Sequence, residues 1–340
     1  MSGEGGARRK RAALAALLGA ALVACGPSAP DSASSTAAAI EGQPAGPYRM
    51  RLELDPPQPA AGEQTRLTWQ LTHLATDAPV EHLQVLHERV VHNFIVNLDF
   101  SSFAHIHHED FRALTPEDLQ RATFTLPYRF PRAGHYRIVS DFTHRDRNWI
   151  KHFDVTVGTP PPRSATPPAD FSTTREVDGV VGTLSMSPRV PVAGHETELV
   201  LDLQRAGAPV TDLALILGSE VHVAVWREDG QHFGHTHSYT PHMASMLRAM
   251  HDKGADSASR ARMMADMMVM MMNMPPELVF PGPRIPVHYV FPEPGVYHLF
   301  LQCAPGGAAQ VFHFAVKVEA FRDGMETRIE SIVTAHGATP

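Results

Sequence analysis

The chain repeats itself, and the repeat dictates what it can fold into. The segment PAAGEQTRL at 59–67 returns as PVAGHETEL at 191–199. His92 returns as His222, and FAHIH at 103–107 returns as FGHTH at 233–237, both displaced by 130 residues. YRFPRAGHYRIVSDF at 128–142 returns as YVFPEPGVYHLFLQC at 289–303, and HFDVTV at 152–157 as HFAVKV at 313–318. These last two are displaced by 161, so the second copy carries 31 additional residues after its His-x-His. A chain of 340 residues written this way is two versions of one unit, each long enough to bury its own core.

Each copy reads as short strands separated by turns. YRMRLEL (48–54) and TRLTWQLTH (65–73) alternate apolar and polar residues, as half-buried strands do. VHNFIVNL (91–98), ATFTLPYRF (122–130), HYRIVSDF (135–142) and KHFDVTV (151–157) follow, with PRAG and PEPG as turns. The expectation is all-β: two tandem Ig-like antiparallel β-sandwich domains, the second with a Met-rich helical insertion. Gly134 with Tyr136, and Gly295 with Tyr297, resemble the tyrosine corner of that architecture. The expected boundaries are a signal peptide at 1–24, a flexible tether at 25–46, domain 1 at 47–157 and a Pro-rich linker at 158–174. Domain 2 follows at 175–320 with its insert at 241–276, then a tail at 321–340.

RRKR at 8–11 followed by the short apolar run at 12–24 has the layout of an export signal, and the run is too short for a transmembrane helix. It ends in Leu22, Val23, Ala24 and Cys25, which resembles the lipobox of bacterial lipoproteins. That resemblance implies lipidation of Cys25 and anchoring of the protein to a bacterial membrane in the cell envelope. The remaining cysteine, Cys303, then has no disulfide partner in the chain and is expected to be buried or a soft metal ligand. The net charge of −7 argues against a nucleic-acid partner.

Histidine is abundant, at 21 residues. In a strand, residues i and i+2 share a face about 7 Å apart at Cα. His105 and His107 therefore aim together, as do His235 and His237, and His92 and His222 each lie 13 residues before the first of their pair. Three neutral imidazoles suit copper or zinc. His152 and His313 also correspond but are assigned to the end of a sheet, outside the ligand sets. Of the histidines present in one copy alone, including His87, His108, His144 and His298, most are expected to be solvated. His108 and Glu109 stand close enough to the first set to join it.

The H-x12-H-x-H spacing, followed by F-x-x-x-G-x-Y and a closing strand, resembles the YtkA-like group of small secreted sandwich modules. The likeness covers the second half of each copy. Where that group carries a proline after His-x-His, this chain has His108 and Ser238. The resemblance implies a sandwich fold and a link to metal handling, copper above all.

Residues 243–274 hold eleven methionines, of which Met263, Met267, Met270, Met271 and Met274 recur at helical spacing. Thioethers select Cu(I) over Zn(II), although a Met-rich helix also serves as an adaptable packing or docking surface. Cys303 lies ten residues from His313, a poor fit to a blue-copper loop. No G-x-S-x-G, Walker A or H-E-x-x-H motif occurs, and an enzyme is not expected. Two readings stand: a copper-binding envelope lipoprotein that can pass metal to a protein partner, and a non-metal structural or interaction module.

Overall fold

The computed structural model describes residues 39–42, 46–161, 168–238 and 278–321. Cys25, the export signal and the whole Met-rich segment, with Met263, Met267, Met270, Met271 and Met274, lie outside the described residues.

The first module runs β1 (Ala39–Glu41), β2 (Tyr48–Asp55), β3 (Gln64–His73), β4 (Val91–Asn97) and β5 (Phe103–Ile106), then β6 (Thr123–Arg129), β7 (Gly134–Thr143) and β8 (Asn148–Val157). A single turn of 3-10 helix (His108–Asp110) and a short helix α1 (Pro116–Arg121) lie between β5 and β6. Thr115 caps α1 by accepting from the Asp118 amide, and Ala122, left-handed at φ 45°, ends it. One sheet has the order β1-β2-β3-β6 and the other β5-β4-β7-β8, all antiparallel.

The second module repeats the plan. Its strands are β9 (Thr174–Val177), β10 (Val180–Ser187), β11 (Glu196–Arg205), β12 (Ala208–Pro209), β13 (Leu213–Ala214), β14 (Val221–Arg227) and β15 (Phe233–His237). They are completed by β16 (Arg284–Val290), β17 (Gly295–Pro305) and β18 (Gln310–Val318). β10-β11-β16 form one layer, and β15-β14-β17-β18 form the other. Two antiparallel sheets packed face to face in each module make an Ig-like sandwich. Both tyrosine corners form: the Tyr136 hydroxyl donates to the Arg132 carbonyl at 3.0 Å, and Tyr297 to Glu293 at 2.8 Å.

Alternation along the strands explains where the core sits. In β3 and β11 one face carries Leu67, Trp69 and Leu71, or Leu199, Leu201 and Leu203, into its own module. The two central strands depart from this. All seven residues of β4 are buried, and six of the seven in β14. Val91 and Ile95 join the first core, and Val221, Val223 and Val225 the second. The opposite faces meet each other in a third cluster. Phe94, Val96, Phe100 and Val139 of the first module pack with Ala224, Trp226, Phe233 and Phe300 of the second. The two four-stranded layers thus turn their outer faces together, and their central strands are buried on both sides. Phe103 stacks on Phe300 at 4.4 Å between centroids, Phe100 stacks on His298 at 3.7 Å, and Arg137 donates to the Gly230 carbonyl. Cys303 is fully buried in the second core, and burial pushes its thiol up to about 12. Among the described residues no helix is long and apolar enough to cross a membrane.

Candidate metal centre

The strand alternation that sends Phe94 and Phe233 into the inter-module face sends the histidines there too. His92 precedes Phe94 by two in β4, and His105 lies opposite Phe94 on β5. His107 sits one residue past β5, where its extended backbone (φ −135°, ψ 160°) opens the 3-10 turn and keeps its ring on the same face. In the second module His222 pairs directly with His237, and Ala224 with His235. Two triads result, His92/His105/His107 and His222/His235/His237, each with ligand atoms within 4.8 Å of one another.

In the first triad His92 Nδ1, His105 Nε2 and His107 Nε2 form a triangle with edges of 3.2, 3.0 and 3.0 Å. Proton accounting shows what the triangle is. Each neutral imidazole has one N–H. The far nitrogen of His92 donates to the Leu86 carbonyl at 2.9 Å, and that of His107 to Asp110 at 2.8 Å. The far nitrogen of His105 donates to Gln302 Oε1 at 2.9 Å. All three N–H groups are committed outward, so three lone pairs face one another. Tetrahedral zinc or copper, with bonds of about 2.0 Å, sets ligand nitrogens about 3.3 Å apart. The triangle is close to that size.

The second triad shows the same logic at His222. His222 Nε2 donates to the Ile216 carbonyl at 2.8 Å, which leaves Nδ1 facing His235 Nε2 at 3.3 Å. The far nitrogen of His235 faces Asp141 at 3.6 Å. Asp141 belongs to β7 of the first module, opposite His92, and Gln302 to β17 of the second, opposite His222. The two occupy equivalent positions in the repeat, at the offset of 161. The first triad is therefore steadied by a side chain of the other module, and the second faces one.

Burial favours the neutral, cation-binding form of five of the six rings. It lowers His92 and His235 to about 3, helped by neighbouring imidazoles and opposed at His92 by Asp141. It also holds His105, His222 and His237 well below the usual histidine value. Burial works against the Asp110 charge, but hydrogen bonds from His107 and Arg89 override it and hold the carboxyl at about 2. Burial raises Asp141, the His92 and His107 charges opposing it.

Some expectations need correction. Among the described residues, the histidines found in one copy alone are not mostly solvated. His108 is buried and accepts from the Thr125 amide at 2.9 Å, so its ring fastens the turn to β6 and stays out of the triad. Glu109 likewise accepts from the Val90 amide and is not in the triad. His298 is buried and shares a hydrogen bond of 3.0 Å with His313, apart from both triads. His144 bonds the Tyr48 hydroxyl at 2.5 Å. Asp110, Asp141 and Gln302 were not picked out by sequence reasoning. Asp141 and Gln302 carried a signal: both lie on strands otherwise rich in apolar residues, at one repeat position.

Fold and site together define a tandem Ig-like β-sandwich protein with a histidine-lined face between its modules. The chain belongs to the family described as "Domain of unknown function (DUF8832)", which matches it twice, over residues 43–159 and 175–320. A comparison with curated proteins finds no match. Among solved structures it is similar to invasin, a bacterial integrin-binding protein, at 11% identity and a TM-score of 0.22, covering 78% of this chain and 37% of invasin. It is similar to the Escherichia coli adhesin FdeC at 11% identity and a TM-score of 0.21, covering 79% and 63%. The fibronectin(III)-like modules of Clostridium thermocellum CbhA align at 12% identity and a TM-score of 0.17, covering 79% and 94%. The chain thus spans well under two thirds of invasin's length and 63% of FdeC's.

Proposed function

We propose that this protein is an exported, lipid-anchored metal-binding protein that holds copper, ahead of zinc, at its two histidine triads. The observation that carries the reading is the inward triangle of lone pairs in the first triad, with every ring N–H committed elsewhere. Three lone pairs at 3.0–3.2 Å repel one another, and a cation among them turns that repulsion into ligation. A purely structural role would give buried imidazoles hydrogen-bond donors to face, and here they face each other. Copper is favoured by the eleven methionines inserted after the second His-x-His, which would supply Cu(I) ligands for capture or for transfer to a partner protein. The export-signal layout of residues 8–24 and the lipobox-like Cys25 support the cell envelope as the site of this activity.

The test is metal content. Purified protein loaded with Cu(I), Cu(II) or Zn(II) and freed of excess ion should retain two ions per chain by elemental analysis. The double variant His105→Ala/His107→Ala should retain one. A protein that retains neither copper nor zinc is the structural module of the competing reading.

A further inference from the structure

The two triads are built alike, but one imidazole breaks the symmetry. Before β4 and before β14 the chain makes the same tight turn, closed by Leu86 pairing Arg89 in one module and Ile216 pairing Ser219 in the other. The first residue of each pair gives its carbonyl to the strand histidine, His92 or His222. The next residue is left-handed in both, His87 at φ 47° and Leu217 at φ 50°. The same backbone therefore presents an imidazole in one module and an isobutyl group in the other.

His87 does not join the triad of its own module. Its ring lies 6.4 Å from His92 but 5.6 Å from His222 and 3.9 Å from His237. Centroid spacing alone does not assign it, since His105 also lies 5.5 Å from His222 and His235. His87 lies over His237 at an interplanar angle of 34°, outside the group of ligand atoms within 4.8 Å, and would swing in on a bound ion. The His87 ring hydrogen-bonds the Leu217 backbone. Its Nε2 is buried and has no hydrogen-bond partner. With the ring proton committed to a carbonyl, Nε2 is a bare lone pair, as in the inner nitrogens of the triads.

We propose that His87 is the fourth imidazole of the second centre, supplied across the module boundary, so that the protein holds one closed four-nitrogen site and one three-nitrogen site. This rests on the metal-binding reading above. Four imidazoles satisfy tetrahedral copper(I) or zinc and suit retention, whereas three leave a coordination position for an incoming ligand and suit exchange. The inference thus assigns retention to the second centre and exchange to the first.

The experiment is a titration of the full protein with Cu(I) against a chromophoric chelator, repeated for His87→Leu, which installs the residue that the second module carries at the same turn. Wild type should show two classes of site, and His87→Leu should weaken the tighter class by about tenfold or more while leaving the weaker unchanged. His107→Ala should instead remove the weaker class. Circular dichroism checks the fold of each variant, and His87→Gln replaces His87→Leu if that chain does not fold. Two classes that survive unchanged in the His87 variant overturn the four-imidazole site and leave metal binding intact. A wild type that takes up no copper and no zinc overturns both.

Discussion

At the scale of single residues, the protein keeps imidazoles uncharged by hiding them. His87, His92 and His235 are held at about 3 inside the fold and return to about 6.5 when it opens. Between those values the unfolded chain binds more protons than the folded one, so stability rises with pH and falls on acidification. The loss begins near pH 6.5 and continues towards pH 3, with a slope of at most about 1.4 kcal/mol per pH unit for each group. Protons and metal also compete for the same lone pairs, and because the folded rings take up protons only near pH 3, bound metal should leave the folded protein over the lower part of that window. The metal-free protein should melt several degrees lower at pH 5 than at pH 7.5, as read by calorimetry. A melting temperature that is flat across that range contradicts neutral, buried imidazoles.

At the scale of strands, the decisive fact is that β4 and β14 are buried on both faces. Trp226 on β14 packs into the inter-module cluster and is fully buried. Trp226→Ala should cost about 3–5 kcal/mol, measured by denaturant unfolding, because it empties the centre of the inter-module cluster. Tyr136→Phe loses both corner hydrogen bonds to the Arg132 backbone, costs about 1–2 kcal/mol and should leave metal content unchanged. These elements also show what a reader of the sequence can and cannot see. The six strand segments of the first copy were readable because their outer positions in β2 and β3, such as Arg51, Glu53 and Gln70, alternate with core residues. The tyrosine corners were readable from Gly-x-Tyr, and the grouping of the triads from H-x12-H-x-H. The meeting of the two triads was not, because the pairing of two outer faces lies between modules and leaves no local periodicity. Its trace is the near absence of charged residues from VHNFIVN and VHVAVW, which marks a strand covered on both sides. The same covering buries His298, which in a free module would face water.

At the scale of the whole molecule, metal and module pairing become one equilibrium. His105 of the first triad is steadied by Gln302 of the second module, and His235 of the second triad faces Asp141 of the first. An ion bound by folded, paired modules and not by the open chain stabilises the assembly by about 2.7 kcal/mol at a free concentration 100 times its dissociation constant. An ion at the first triad holds a ligand oriented by the second module, so this stabilisation is shared between them. Calorimetry of the full protein should therefore show a transition that moves up with metal and stays single. The sharper measurement is a substitution on one module read out on the other. Gln302→Ala lies in the second module, yet it should weaken copper at the first triad by about 10–100-fold, the usual consequence of losing a hydrogen-bond partner to a ligand histidine. The second triad, whose ligands it does not bond, should keep its affinity within a factor of a few. If Gln302→Ala leaves the first site unchanged, or weakens only the second, the modules bind metal independently and their contact is packing alone.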